Sequence, residues 1–123
     1  MEFIFSHILG DYAFQSQKIA LTKSSSNSIC AIHCCIYTLC HIAISTNLHF
    51  LAIVFSTHFL IDRYSLISKY LKLINGRTFE SFLSNQNINK YEILSGSFTA
   101  IVYTVLDNGV HLMCNYYAYK FTN

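Results

Sequence analysis

The sequence predicts an all-α bundle of about four helices, set in a membrane around a polar centre of histidine and aspartate. Three observations carry this expectation. Hydrophobic residues make up 53% of the 123-residue chain and charged residues 11%, with a mean hydropathy of +0.37. A soluble domain usually carries about 25% charged residues and needs them to cover its surface. The apolar residues fall into four segments, each near the roughly 17–25 residues that cross a bilayer, and no proline is present to break them. Finally, every aspartate stands four residues from a histidine: His7–Asp11, His58–Asp62 and Asp107–His111. Residues i and i+4 share a helix face, one turn apart.

The first segment, residues 3–21, is interrupted by Gly10-Asp11 and by Gln15-Ser16-Gln17 and is polar along one side. That pattern also suits an interfacial or re-entrant helix. Residues 23–28 are a polar linker ending in good N-cap residues. The second segment runs over 29–45 and the third over 48–67. The short, uncharged Ser45-Thr46-Asn47 turn between them predicts an antiparallel hairpin. Residues 68–97 form the one sizeable polar region. Within it Asn75-Gly76 reads as a helix stop, 78–83 as a short surface helix, and 84–89 as an Asn- and Gln-rich stretch. The fourth segment covers 98–119. The length fits a single domain over residues 1–123.

Net charge is +2, and no basic run is interleaved with aromatics, so nucleic acid is not an expected partner. The lipid bilayer is, and a protein partner stays open. Lys18 and Lys23 flank the first connection; Arg63, Lys69, Lys72, Arg77 and Lys90 flank the third; the second has no basic residue. The positive-inside rule then places connections one and three in the cytoplasm, both termini outside, and the protein in the cytoplasmic (inner) membrane as a multi-pass chain. Lys120 dissents weakly. The N-terminus lacks a basic n-region and an A-x-A-like site, so the helices themselves are expected to direct insertion. The five cysteines, Cys30, Cys34, Cys35, Cys40 and Cys114, do not form a secreted disulfide framework. Cys30 and Cys34 share a face without a CxxC spacing, and packing is preferred for them over a soft metal site.

Ionisable groups at membrane depth are functional-site candidates. His7, Asp11, His33, His58, Asp62, Asp107 and His111 form the candidate ligand set. Gln15, four residues beyond Asp11, and His41, eight beyond His33, are candidates for substrate or supporting contacts. His49, in the second turn, reads as interfacial. A mixed imidazole–carboxylate set without thiolate suits a divalent metal such as Zn, Mn or Fe, and this many ligands can hold two ions. The competing reading is structural: His donors and Asp acceptors at i,i+4 satisfy one another well enough to be buried.

The opening His7-Ile8-Leu9-Gly10-Asp11-Tyr12-Ala13-Phe14-Gln15 resembles the signature of the family called domain of unknown function 3307. That family comprises short, mostly membrane-predicted bacterial and phage proteins that open with H-x-x-G-D-[FY]-x-x-Q and a lysine-containing stretch, here Lys18 and Lys23. His33 matches its second-helix histidine, His58–Asp62 an H-x-x-x-D element, and Asp107–His111 a D-x-x-x-H element. The similarity spans nearly the whole chain, least well over 70–95. Asn108-Gly109 departs from the usual fourth element, and a glycine there weakens the helix by about 1 kcal/mol relative to Ala. The resemblance implies an integral membrane protein and brings no activity with it.

The function expected from the residues is a membrane-embedded metal-dependent hydrolase of a phosphoester or lipid-like substrate. Two readings compete with it. One is a small non-catalytic membrane protein, such as a phage-encoded modulator of a host partner, whose His/Asp pairs are structural. The other is a soluble helical metal-binding domain.

Overall fold

The computed structural model describes residues 1–76 and 90–123. The surface helix expected over 78–83 and the stretch 84–89 lie outside the described residues. Among the described residues the chain is all-helical, with six α-helices and one π-helical turn. They are α1 (Glu2–Ile8), a π-turn (Leu9–Ala13), α2 (Gln17–Thr22), α3 (Asn27–His41), α4 (Leu48–Arg63), α5 (Leu66–Asn75) and α6 (Lys90–Thr122).

Six helices replace the expected four because two segments are broken. The first stops where the π-turn ends at Phe14, whose N–H bonds Leu9 O at 2.9 Å. It resumes at Ser16, whose hydroxyl caps α2 by accepting from Ile19 N–H. The third breaks at Ser65, held in the left-handed region at φ 50°, ψ 47°. This bends α4 from α5 by 53°. The remaining stops and starts follow the sequence signals. Ser26 caps α3, Asn47 caps α4 by accepting from His49 N–H at 2.9 Å, and Gly76 ends α5 at φ 61°.

α3 and α4 form the predicted antiparallel hairpin, and α6 packs along α4. Asn47 Nδ2 donates to Thr122 O and Ser45 Oγ to Asn123 Oδ1, so the chain's C-terminus closes on the α3–α4 turn. Phe3 packs edge-on against Tyr116 and Tyr119, which puts the start of α1 at that same end. At the opposite end Arg63 donates to Asn27 Oδ1 and Ser24 O, joining the basic connections. One apolar cluster, Tyr37, Phe50, Val54 and Ala118, lies toward the termini. A second, Ile61, Ile67 and Leu71, joins α4, α5 and α6 at the basic end.

The polarity of the fold is inverted. Its most buried side chains include His7, His33, His41, His58, His111 and Asn115, while Phe5, Leu39, Ile101 and Val105 are each more than 60% exposed. One helix among the described residues, Ile93–Thr122, is long and apolar enough to cross a membrane, and only 6% of its apolar window is buried; α4 and α5 pass the same test as a bent pair. α3 has 15 residues and α4 has 16. At 1.5 Å per residue each is about 22–24 Å long, short of the ~30 Å hydrocarbon core. The expectation of several separate full-length spans is therefore reduced to one such helix.

Candidate metal centre

Between the two apolar clusters, four elements each contribute a polar stripe at a spacing of four residues. These are His7–Asp11–Gln15 from the first segment, His33–Tyr37–His41 on α3, His58–Asp62 on α4 and Asp107–His111–Asn115 on α6. The spacing stacks successive side chains on one helix face. Within the bundle the polar faces turn toward one another, because a buried polar group without a partner is costly.

Asp11 reaches the centre through two local devices. The π-turn inserts one extra residue per turn, a feature that often marks functional sites. Gly10 lets that turn lie against α3: a Cβ there would sit 2.6 Å from Tyr37 Cδ2 and 3.1 Å from Tyr37 Cα. No side chain fits between them.

Asp11, His33, His58 and Asp62 form a tight four-atom set. His33 Nε2 and His58 Nε2 are 3.0 Å apart. His33 Nε2 lies 3.0 Å from Asp11 Oδ1 and 3.3 Å from Asp62 Oδ2; His58 Nε2 lies 3.3 Å and 3.2 Å from the same oxygens. Metal–ligand bonds of ~2.0–2.1 Å in a tetrahedron require donor–donor edges of about 3.3 Å. The five distances above, 3.0–3.3 Å, lie at or just below that edge. Two nitrogens and two oxygens are also a donor set that zinc and its neighbours accept.

A second set, Asp62, Asp107 and His111, shares Asp62 with the first. His111 Nε2 is 3.5 Å from Asp62 Oδ1 and 3.8 Å from Asp107 Oδ1. This nitrogen is buried and makes no hydrogen bond among the described residues. A native protein rarely leaves a buried ring nitrogen without a partner, and an ion between these three groups would satisfy it. The two sets share Asp62, whose Oδ2 belongs with His33 and His58 and whose Oδ1 faces His111.

His7 and His41 lie one step outside these sets. His7 Nδ1 is 3.5 Å from Asp11 Oδ2 but is engaged by Tyr37 OH at 2.8 Å, and its Nε2 is 2.6 Å from Asn108 Oδ1. Asn115 Nδ2 donates to Tyr37 OH at 2.7 Å and to His41 Nε2 at 3.0 Å. Tyr37 OH therefore donates to His7 Nδ1, and the proton of His7 sits on Nε2, facing the Asn108 oxygen. His41, whose Nδ1 donates to Tyr37 O at 2.9 Å, anchors the far end. Both histidines act by fixing Tyr37, whose ring stacks on that of His58 with centroids 3.6 Å apart. Gln15 touches His33; with its amide turned so that the oxygen faces the donors, it accepts from Lys23 Nζ at 2.9 Å and His33 Nε2 at 3.2 Å.

Four residues go beyond the sequence-derived set. Lys23, read there as a flanking charge, places Nζ 2.7 Å from Asp62 Oδ2 and 4.0 Å from Asp11 Oδ1. Burial works against its charge, but Asp62 and Asp11 outweigh it and hold its pKa above the ordinary lysine value. Tyr37 and Asn115 were legible only as continuations of the four-residue stripes. Asn108, an interruption by sequence, is the residue that orients His7. Gly109 does not break the helix, which runs through it with Asp107 and His111 on the same side. Cys30 and Cys34 are buried free thiols 4.0 Å apart, and Cys30 Sγ faces Phe59 O on α4.

Fold and site define a small protein, all-helical over its described residues, with a buried histidine–aspartate centre that could hold a divalent ion. The chain belongs to the family described as Protein of unknown function (DUF3307), whose model matches residues 1–121. No curated protein and no solved structure gives a significant match.

Proposed function

We propose that the protein is a multi-pass membrane protein of the inner membrane and a metal-dependent hydrolase of a phosphoester or lipid-like substrate. The observation that carries the metal is the four-donor set of Asp11, His33, His58 and Asp62 at tetrahedral edge distances. A divalent ion held there supplies Lewis acidity toward a phosphoryl or carbonyl oxygen and activates water. Asp62 belongs to both donor sets, Tyr37 holds the His58 imidazole in place by stacking on it, and Lys23 lies at the open side. A cleft of about 220 Å³ lined by Asp11, Tyr12, Lys23 and Asp107 gives a substrate access to the centre.

The inverted polarity supports the membrane. The apolar faces of α3, α4 and α6 would meet lipid, with α4 and α5 acting as one bent span and α1 with α2 as a broken half-span. Arg63 and Lys23 then lie at the cytoplasmic end. On this reading the protein pellets with membranes and resists carbonate extraction. Recovery as a monodisperse soluble protein without detergent would move it to the soluble metal-binding class.

Elemental analysis of wild type beside His58→Ala tests the centre. Wild type should retain one or two equivalents of a divalent metal, and the variant should bind it at least about 100-fold more weakly, the upper end of the loss seen for outer-shell partners. The second reading, a non-catalytic membrane protein held together by its polar centre, draws on the Tyr37–His7–Asn115–His41 network, which is satisfied without an ion. Wild type free of metal after purification in metal-replete buffer would favour it.

A further inference from the structure

We propose that the cleft beside the centre is a subsite for a phosphoryl group and that Lys23 is the side chain that binds it. This rests on the metal-centre reading and names the charged end of the substrate. The cleft is lined by Asp11, Tyr12, Gln15, Lys23, Tyr103 and Asp107. Asp11 belongs to the first donor set and Asp107 to the second, so a group seated in the cleft faces both. Lys23 is the cation of its wall, with Nζ at 2.7 Å from Asp62 Oδ2. The Tyr12 hydroxyl is held beside it by Asn108, at 2.9 Å from Oδ1 and 2.8 Å from Nδ2.

Charge balance selects the ligand class. Without ions, Asp11, Asp62 and Asp107 outnumber Lys23, and the ammonium is drawn onto Asp62. With a divalent ion in each donor set, positive charge is in excess and Asp62 is committed to the ions. Lys23 then presents its full charge and its N–H donors to the cleft. A neutral ester or amide gains little from such a site. A phosphoryl group, with negative charge spread over its outer oxygens, is what a lysine point charge beside divalent ions holds. The same group can come from a soluble phosphate ester or from the headgroup of an anionic lipid.

The test uses the full chain in detergent micelles, with inorganic phosphate as the probe in titration calorimetry and zinc content measured on the same samples. Zinc-loaded wild type should bind phosphate, and wild type stripped of metal should not. Lys23→Met should keep its zinc but bind phosphate about ten- to a hundredfold more weakly, the range for losing a hydrogen bond to a charged group. Lys23→Arg should retain most of the affinity. Competition by phosphatidate but not phosphatidylcholine would assign the group to a lipid; phosphate binding that phosphatidate leaves unchanged would assign it to a soluble ester. Equal phosphate affinity in zinc-loaded Lys23→Met and wild type, or undiminished binding by the stripped protein, overturns the subsite while the metal centre stands. Wild type that takes up none of zinc, manganese and iron overturns the centre and the subsite with it.

Discussion

Asp62→Asn should empty the centre while the bundle still folds. Asp62 is the one residue common to both donor sets. Its Oδ2 faces His33, His58 and Lys23, and its Oδ1 faces His111. Asparagine keeps the volume and one acceptor oxygen but loses the charge, and its amide nitrogen donates where an ion needs a lone pair. Both sets lose a ligand in one substitution, so metal content should fall to background. The apoprotein should lose only about 1–3 kcal/mol, because Lys23 sits at the cleft and can turn outward from its lost partner. The decisive contrast is the response to metal. Zinc at a hundred times its Kd should stabilise wild type by about 2.7 kcal/mol and the variant not at all, as read from melting temperatures with and without zinc. If Asp62→Asn retains full metal content, the ion is bound elsewhere, and the protein is better described as a non-catalytic membrane protein.

Much of the centre was legible because its signal is local. A carboxylate four residues from a histidine, inside an apolar stretch, must face a partner, and the structure turns Asp11, Asp62 and Asp107 to a common centre with His33, His58 and His111. The residues that escaped notice act through tertiary distance. Lys23 follows α2 and looks like a solvated flanking charge until α2 folds it back over Asp62. Tyr37 and Asn115 meet across 78 positions of sequence. His7 does lie beside Asp11, at 3.5 Å as its spacing implies, but Tyr37 and Asn108 approach its nitrogens more closely, and neither is near it in sequence. Helix lengths were misread for a related reason. Hydropathy sees apolar residues, so it started the last helix near Phe98, whereas α6 begins at Lys90 through polar positions that hydropathy does not register. It also ran the third segment through Tyr64-Ser65, where the left-handed backbone at Ser65 ends α4.

Gly10→Ala and Gly109→Ala should have opposite effects, although each adds one methyl to a helical glycine. At Gly10 the new Cβ would stand 2.6 Å from Tyr37 Cδ2 and 3.1 Å from Tyr37 Cα. The ring cannot swing away, because it is fully buried, stacked on His58 and hydrogen-bonded to His7 and Asn115. The contact with Tyr37 Cα cannot be relieved by any rotamer. The π-turn must therefore lift off α3, which overpacking of this kind makes cost about 1–3 kcal/mol. Lifting it carries Asp11 away from His33 and His58, whose nitrogens it meets at 3.0 and 3.3 Å. Metal affinity should thus fall even though no ligand has been changed. At Gly109 no atom of the described residues lies within 4 Å of the added methyl. The position is in the middle of α6, where alanine is favoured over glycine by about 0.5–1 kcal/mol. Gly109→Ala should raise the melting temperature and leave metal content at the wild-type level. Thermal melts and elemental analysis on the two variants decide the matter together. A Gly10→Ala protein with unchanged stability and full metal content would mean that the π-turn does not hold Asp11 against α3 as the structure has it.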